Sequence, residues 1–213
     1  MPSKAYGVFQ KNLEQVHRLN ATYDSELCKN PGKGKRSLDH ITRAGLVFLC
    51  SSFEIYFEMV LKESCLILTH SIRDPINLPK EVKKTISKQV KNENNELSPI
   101  IFASNWKEYY LRMVTAEVEG LNTPKVYNIS NLLAKYLGLK EVIDKSTYPF
   151  LGIDDIITER GEVAHKLYAT KYLKKSKLLE YEYTIKDAVK DMDMMLYHKL
   201  NPIIGKTPWN NTY

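Results

Sequence analysis

The stretch IDDIITERGEVAHKLYATKY, residues 153–172, decides how the chain is read. Pro149 and Gly152 mark its entry, and Ile153, Ile156, Ile157, Val163, Ala164 and Leu167 form an irregular stripe at helical spacing. Asp154, Asp155 and Glu159 lie near the start, where acids favour the positive end of a helix dipole. A helix over 153–172 is expected. On it, Arg160 and His165 are five positions apart, so they sit about 140° apart around the axis, on adjoining faces, and are able to flank one groove. Gly161 inside a helix costs about 1 kcal/mol against alanine. With Ala164 it makes a small surface for a close helix crossing or an active groove.

The 213 residues are 43% hydrophobic and 26% charged, enough for one domain with a sizeable core. Residues 1–200 are expected to form it, with a core over 38–197, a peripheral excursion at 71–99 and a loose tail at 201–213 carrying Trp209. Cys28, Cys50 and Cys65 lack metal-ligand spacing, and Cys50 and Cys65 sit in apolar runs. That usage fits a reducing interior better than a disulfide framework, so a cytoplasmic chain with neither signal peptide nor membrane span is expected.

Amphipathic stripes place a first helix over 5–27 and a second from Ser37 or Asp39, which could cap it, through Leu66. The second is apolar over so wide a surface that it suits a central helix with neighbours on several sides. Arg43 and Glu54 are polar exceptions on it, suited to a salt bridge at the rim. Further helices are expected over 81–92, 102–120, a face from Ile129 to Gly138 capped by Asn128 or Ser130, and 183–200. No alternating strand or internal repeat appears, so the fold class is all-α, an up-and-down helical bundle.

The formal net charge is +6. Lys166, Lys171, Lys174, Lys175 and Lys177 follow the Arg160 and His165 pair with no acid among them, and Lys33, Lys35 and Arg36 form a second basic run. Such clusters suit the phosphates of RNA, with Arg43 as a further candidate. His17 and His40 stand alone, and structural or solvent roles are expected for them. There is no phosphate-cradling glycine loop, metal motif or acidic pair for divalent ions, so no cofactor or metal is expected. Phosphoryl chemistry then rests on side chains: a histidine to move a proton near neutral pH, and an arginine to offer paired donors to phosphate oxygens. These meet the minimum need for metal-free cleavage of RNA by its own 2′-hydroxyl.

At these residues the chain resembles the HEPN superfamily, marked by an arginine, four to six intervening residues and a histidine on a late helix of a bundle. Arg160-Gly-Glu-Val-Ala-His165 matches that spacing. SSFEIYFEMVLKES at 51–64 and LNTPKVYNISNLLAKYLGL at 121–139, both ahead of the motif helix, look like the RiboL-PSP-HEPN group found among toxin and phage-defence proteins. The resemblance implies a homodimer whose motif helices face each other across a basic cleft. It also implies an endoribonuclease with Arg160 and His165 as catalytic residues, and an antitoxin or defence-system protein as a possible partner. The alternative is a non-catalytic HEPN dimer that binds RNA or a protein. Where the family usually places Asn, Asp or His after the arginine, this chain has Gly161, which removes a polar side chain from the site.

Overall fold

The computed structural model describes residues 2–29, 35–93, 98–121, 124–165 and 172–209. Among them are eight α-helices and no strand: α1 Lys4–Lys29, α2 Asp39–Ser71, α3 Lys80–Asn92, α4 Ser98–Ser104, α5 Trp106–Glu119, α6 Val126–Leu137, α7 Ile153–His165 and α8 Lys175–Ile204. A 3-10 turn, Lys35–Leu38, leads into α2.

Helix α2 is the axis of the bundle, with α1, α5, α6, α7 and α8 packed around it. Its buried residues Leu46, Leu49, Phe53, Tyr56, Val60 and Leu61 point in several directions, as its wide apolar surface requires. By length and hydropathy it could cross a bilayer, yet more than half of its apolar stretch is buried inside the protein. Along α1 the stripe Ala5, Phe9, Leu13 and Val16 closes one side, with Phe9 edge-on to Tyr56 at 5.9 Å between ring centroids. On another side α8 comes close because position 45 has no side chain. A Cβ on Gly45 would stand 2.6 Å from Leu178 Cδ2.

Several boundaries differ from the sequence expectation. Helix α8 starts at Lys175 because Leu178, Tyr181 and Ile185 extend its buried stripe backwards, so Lys174, Lys175 and Lys177 open this helix and do not end α7. Helix α7 is described only to His165, and Tyr172 is not helical; residues 166–171 lie outside the described part. Asn105 divides the expected 102–120 helix and caps α5, its side chain accepting from Glu108 N–H at 3.4 Å. Neither Asn128 nor Ser130 caps α6, whose first N–H, at Val126, donates to Asp154 of α7 at 2.8 Å. Nor is Asp39 a cap; its carboxylate is used elsewhere. The excursion is well tied down: Leu78, Val82 and Ile86 join the core and α3 packs on α6. After Pro202, α8 continues to Ile204 and Trp209 is buried beside Tyr197, with ring centroids 6.5 Å apart.

The junction between α3 and α6 gives a stability test. Gly138 ends α6 at φ +73°, and a Cβ there would lie 2.4 Å from Pro79 Cβ. Gly138→Ala therefore combines left-handed backbone strain with overpacking and should cost roughly 2–4 kcal/mol in denaturant unfolding.

Candidate active site

Helix α7 is held by Ile153, Ile156, Ile157 and Val163, which are buried against its neighbours. Its acids are engaged separately: Asp154 with the start of α6, and Glu159 as acceptor from Tyr181 hydroxyl. This leaves Arg160 facing α2. Its Nη2 is 3.5 Å from Glu54 Oε2, and its side chain is 27% exposed. Arg160 Nε is buried with no hydrogen-bond partner among the described residues. The rim salt bridge expected of Glu54 is thus made across helices to Arg160, whereas Arg43 pairs along its own helix with Asp39 at 2.5 Å.

The surroundings of Arg160 are poor in water. Burial pushes the Glu54 carboxyl above its ordinary range even though the nearby guanidinium pulls it down. One helical turn earlier, burial pushes the Cys50 thiol up to about 12, against the opposing pull of Arg160. Cys50 is therefore a protonated, inert neighbour and no nucleophile. His165, the last residue of α7, is exposed and has no hydrogen bond or ion pair with a described residue. Arg160 turns inward and His165 outward, about 7.5 Å apart along the helix axis.

The other sequence candidates fall into distinct settings. Arg43 belongs to a latch: its partner Asp39 accepts from Leu173 N–H at 3.0 Å, and Thr42 hydroxyl donates to Leu173 carbonyl at 2.8 Å. Lys175 is bound to Asp24 at 2.6 Å and Lys177 to Glu180 at 2.7 Å, so folding supplies acids that the lysine run itself lacks. Lys174 is exposed and lines a cleft of about 730 Å³ with Arg36, Lys175, Tyr23 and Tyr172. Two basic runs far apart in sequence meet there. Lys33, Lys166 and Lys171 lie outside the described residues. Among the described residues, no group of three or more His, Cys, Asp and Glu could hold a metal ion.

A second cleft, about 770 Å³, lies between the start of α2 and the last turn of α7. His40, Arg43, Val47, Val163 and Ala164 line it. Sequence reading set His40 aside because its neighbours in space come from more than 120 positions away. Glu54 left one signal, a carboxylate in the most apolar stretch of α2, between Leu46 and Phe57.

The partly buried Glu54 yields a pH test. Its folded pKa lies above the unfolded value, so ionisation opposes folding: the penalty is absent in acid and sets in as pH rises through the raised value. Glu54→Gln should be at least as stable as wild type near neutrality. Its advantage should shrink as pH is lowered from about 7 to about 4, read by thermal unfolding. A Gln variant less stable than wild type near pH 7, with the deficit shrinking toward pH 4, would mean that the ion pair with Arg160 outweighs the burial penalty.

The chain was compared with known proteins on this footing. No curated protein and no solved structure matches it. A family model described as RiboL-PSP-HEPN matches residues 11–197, which include α7 and all of α2. The match spans most of the chain and includes both Arg160 and His165. The chain belongs to the RiboL-PSP-HEPN family.

Proposed function

We propose that the protein is a metal-independent endoribonuclease whose Arg160 and His165 act at a groove between two copies of α7. The observation that carries this reading is the state of Arg160: among the described residues its guanidinium is held by one carboxylate at 3.5 Å, and its Nε has no hydrogen-bond partner. A phosphate would offer such a group paired, charge-assisted acceptors that Glu54 alone does not. In the reaction, the 2′-hydroxyl of RNA attacks its adjacent phosphate while Arg160 stabilises the added negative charge. His165, exposed at the end of α7, moves a proton. The family setting supports a toxin or phage-defence effector; an antitoxin or defence-system protein would be its partner, and the three free cysteines suit a reducing compartment such as the cytoplasm.

The dimer reading gains support from Gly161. Among the described residues nothing lies within 4 Å of a Cβ built there, so packing among them gives no reason for a glycine in mid-helix. A second copy crossing at Gly161 and Ala164 would. Gly161→Leu then has two opposite effects: it adds up to about 1 kcal/mol of helix propensity to the protomer, while overpacking costs the dimer about 1–3 kcal/mol. Sedimentation of wild type and variant reads the second effect, and a wild-type monomer at micromolar concentration would remove the composite groove.

RNA attraction is assigned chiefly to Lys174 and Arg36 among the described cations, with Lys166 and Lys171 as further candidates and Lys175, Lys177 and Arg43 already bound to acids. Binding should fall steeply with salt and tolerate changes of base sequence. A salt-independent affinity would refute the backbone-contact reading.

For cleavage, wild type, R160A, R160K and H165A are incubated with mixed cellular RNA in EDTA. Wild type should leave 2′,3′-cyclic phosphate and 5′-hydroxyl ends. H165A should be slower by roughly a hundred-fold to ten-thousand-fold, and R160K should also be impaired because an ammonium lacks the planar fork. RNA binding by wild type without any cleavage would favour the non-catalytic dimer, which the glycine at 161 also suits.

A further inference from the structure

A field of like charge lies away from α7, on the peripheral helix α3. In Lys80–Asn92 there are five lysines, at 80, 83, 84, 88 and 91, and a single acid, Glu81. At about 100° per residue, Lys80, Lys84 and Lys91 fall within roughly 40° of one another, with Lys83 and Lys88 on either flank. They form one stripe roughly 16 Å long. Val82 and Ile86, on the opposite side, are buried in the core, and Gly138 at the end of α6 closes on Pro79 just ahead of the helix. The stripe is therefore held outward on a fixed support. Its lysines rim a hollow of about 500 Å³ together with Ser87 and Asn92.

This arrangement works against the helix that carries it. Lys80 faces Lys83 and Lys84, and Lys88 faces Lys84 and Lys91, all at spacings of three or four where like charges repel. Lys80, Lys83 and Lys84 also stand near the positive end of the helix dipole, where cations are unfavourable. Glu81 is shared between Lys84 at 3.2 Å and Lys140 at 3.0 Å. Lys83 donates to the Ile76 carbonyl at 2.8 Å, a bond that leaves its charge in place. Lys80, Lys88 and Lys91 are exposed and pair with no acid among the described residues. A polyanion laid along the stripe would relieve this repulsion.

The chemistry of the face selects its occupant. Helix α3 has no aromatic side chain on which a base could stack, and its apolar side is used in the core instead of being free to enter a lipid surface. A row of ammonium groups suits backbone phosphates, which carry no sequence information. The distance to the candidate active site follows from α6. Its first N–H is bonded to Asp154 of α7, its far end meets Pro79, and its 12 residues span about 18 Å. Resting on the endoribonuclease reading, we propose that the lysine stripe of α3 is an auxiliary anchor for the RNA backbone. It is separate from the groove at Arg160 and His165 and is reached only by RNA long enough to extend past α6. Shorter RNA depends on Lys174 and Arg36 alone.

The test compares wild type with K80Q/K84Q/K88Q/K91Q and with K11Q/K190Q/K199Q/K206Q, which removes the same charge from exposed lysines elsewhere. Glutamine keeps helix propensity, so the α3 variant should melt no lower than wild type. Binding is read by fluorescence anisotropy across salt concentrations on a long 2′-O-methylated RNA, which lacks the attacking hydroxyl. The α3 variant should bind about ten-fold or more weakly, and the slope of log affinity against log salt should fall by about three, whereas the control changes little. On cleavable RNA, the α3 variant should raise KM on a long substrate with kcat kept, and match wild type on a dinucleotide. Affinity and slope equal to those of the control, with wild type binding and cutting RNA, would overturn the α3 anchor and leave the endoribonuclease reading standing. So would α3-dependent binding to vesicles of phosphatidylserine and phosphatidylcholine with RNA binding unaffected, which would make the stripe a membrane contact. RNA bound through α3 but never cut by wild type would bring down the endoribonuclease reading and keep the anchor.

Discussion

A helix of 33 residues with apolar side chains around most of its circumference must bury most of it, and α2 is such a helix, leaving in water a strip that carries Phe48, Ile55 and Leu66. The other elements are arranged by the need to cover it. Helix α1 runs along it, α8 closes in where Gly45 admits Leu178, and α5, α6 and α7 pack on further parts of its surface. The same constraint presses α7 onto α2 firmly enough to bury Val163 and to bring Arg160 against Cys50 and Glu54.

That packing has an electrostatic consequence. A guanidinium and a carboxylate are drawn partly out of water together, at 3.5 Å, and burial still dominates the carboxyl's pKa. Attraction between buried ions seldom exceeds the cost of removing both from water. Such a pair suits function better than stability, because an arginine weakly held by its resident acid can exchange it for a stronger anion. The Leu173 latch contrasts with it. There Asp39 and Thr42 satisfy both backbone groups of Leu173, with Arg43 pairing Asp39, and these bonds fix the chain just ahead of α8.

Burial and exposure also sort the basic residues. Lysines alike in sequence become unlike in space: Lys175 and Lys177 are neutralised by Asp24 and Glu180, while Lys174 meets Arg36 at a shared cleft. Surface ion pairs of this kind add little to stability. They do lower the positive potential available to a polyanion, so the run of lysines in the sequence overstates what the surface presents near the start of α8.

The local pattern of residues determined the helical class, the central place of α2 and the start of α7 at Ile153, because periodicity and composition act over a few turns of one segment. The arginine and histidine motif was legible for the same reason: both residues lie on one helix at a fixed spacing. What tertiary structure decided were contacts between segments far apart in the chain. Asp154 caps a helix 28 positions away, so local cap candidates at 128 and 130 misled. The buried stripe of α8 reaches back to Leu178 because Gly45 makes room for it, which places Lys175 and Lys177 on α8, ahead of the start expected at 183. His40 enters a cleft with α7, and Glu54 becomes the resident acid of Arg160, only when α2 and α7 cross. Periodicity states which face of a helix is buried, but the partner on that face is set by how all the apolar faces can be covered at once.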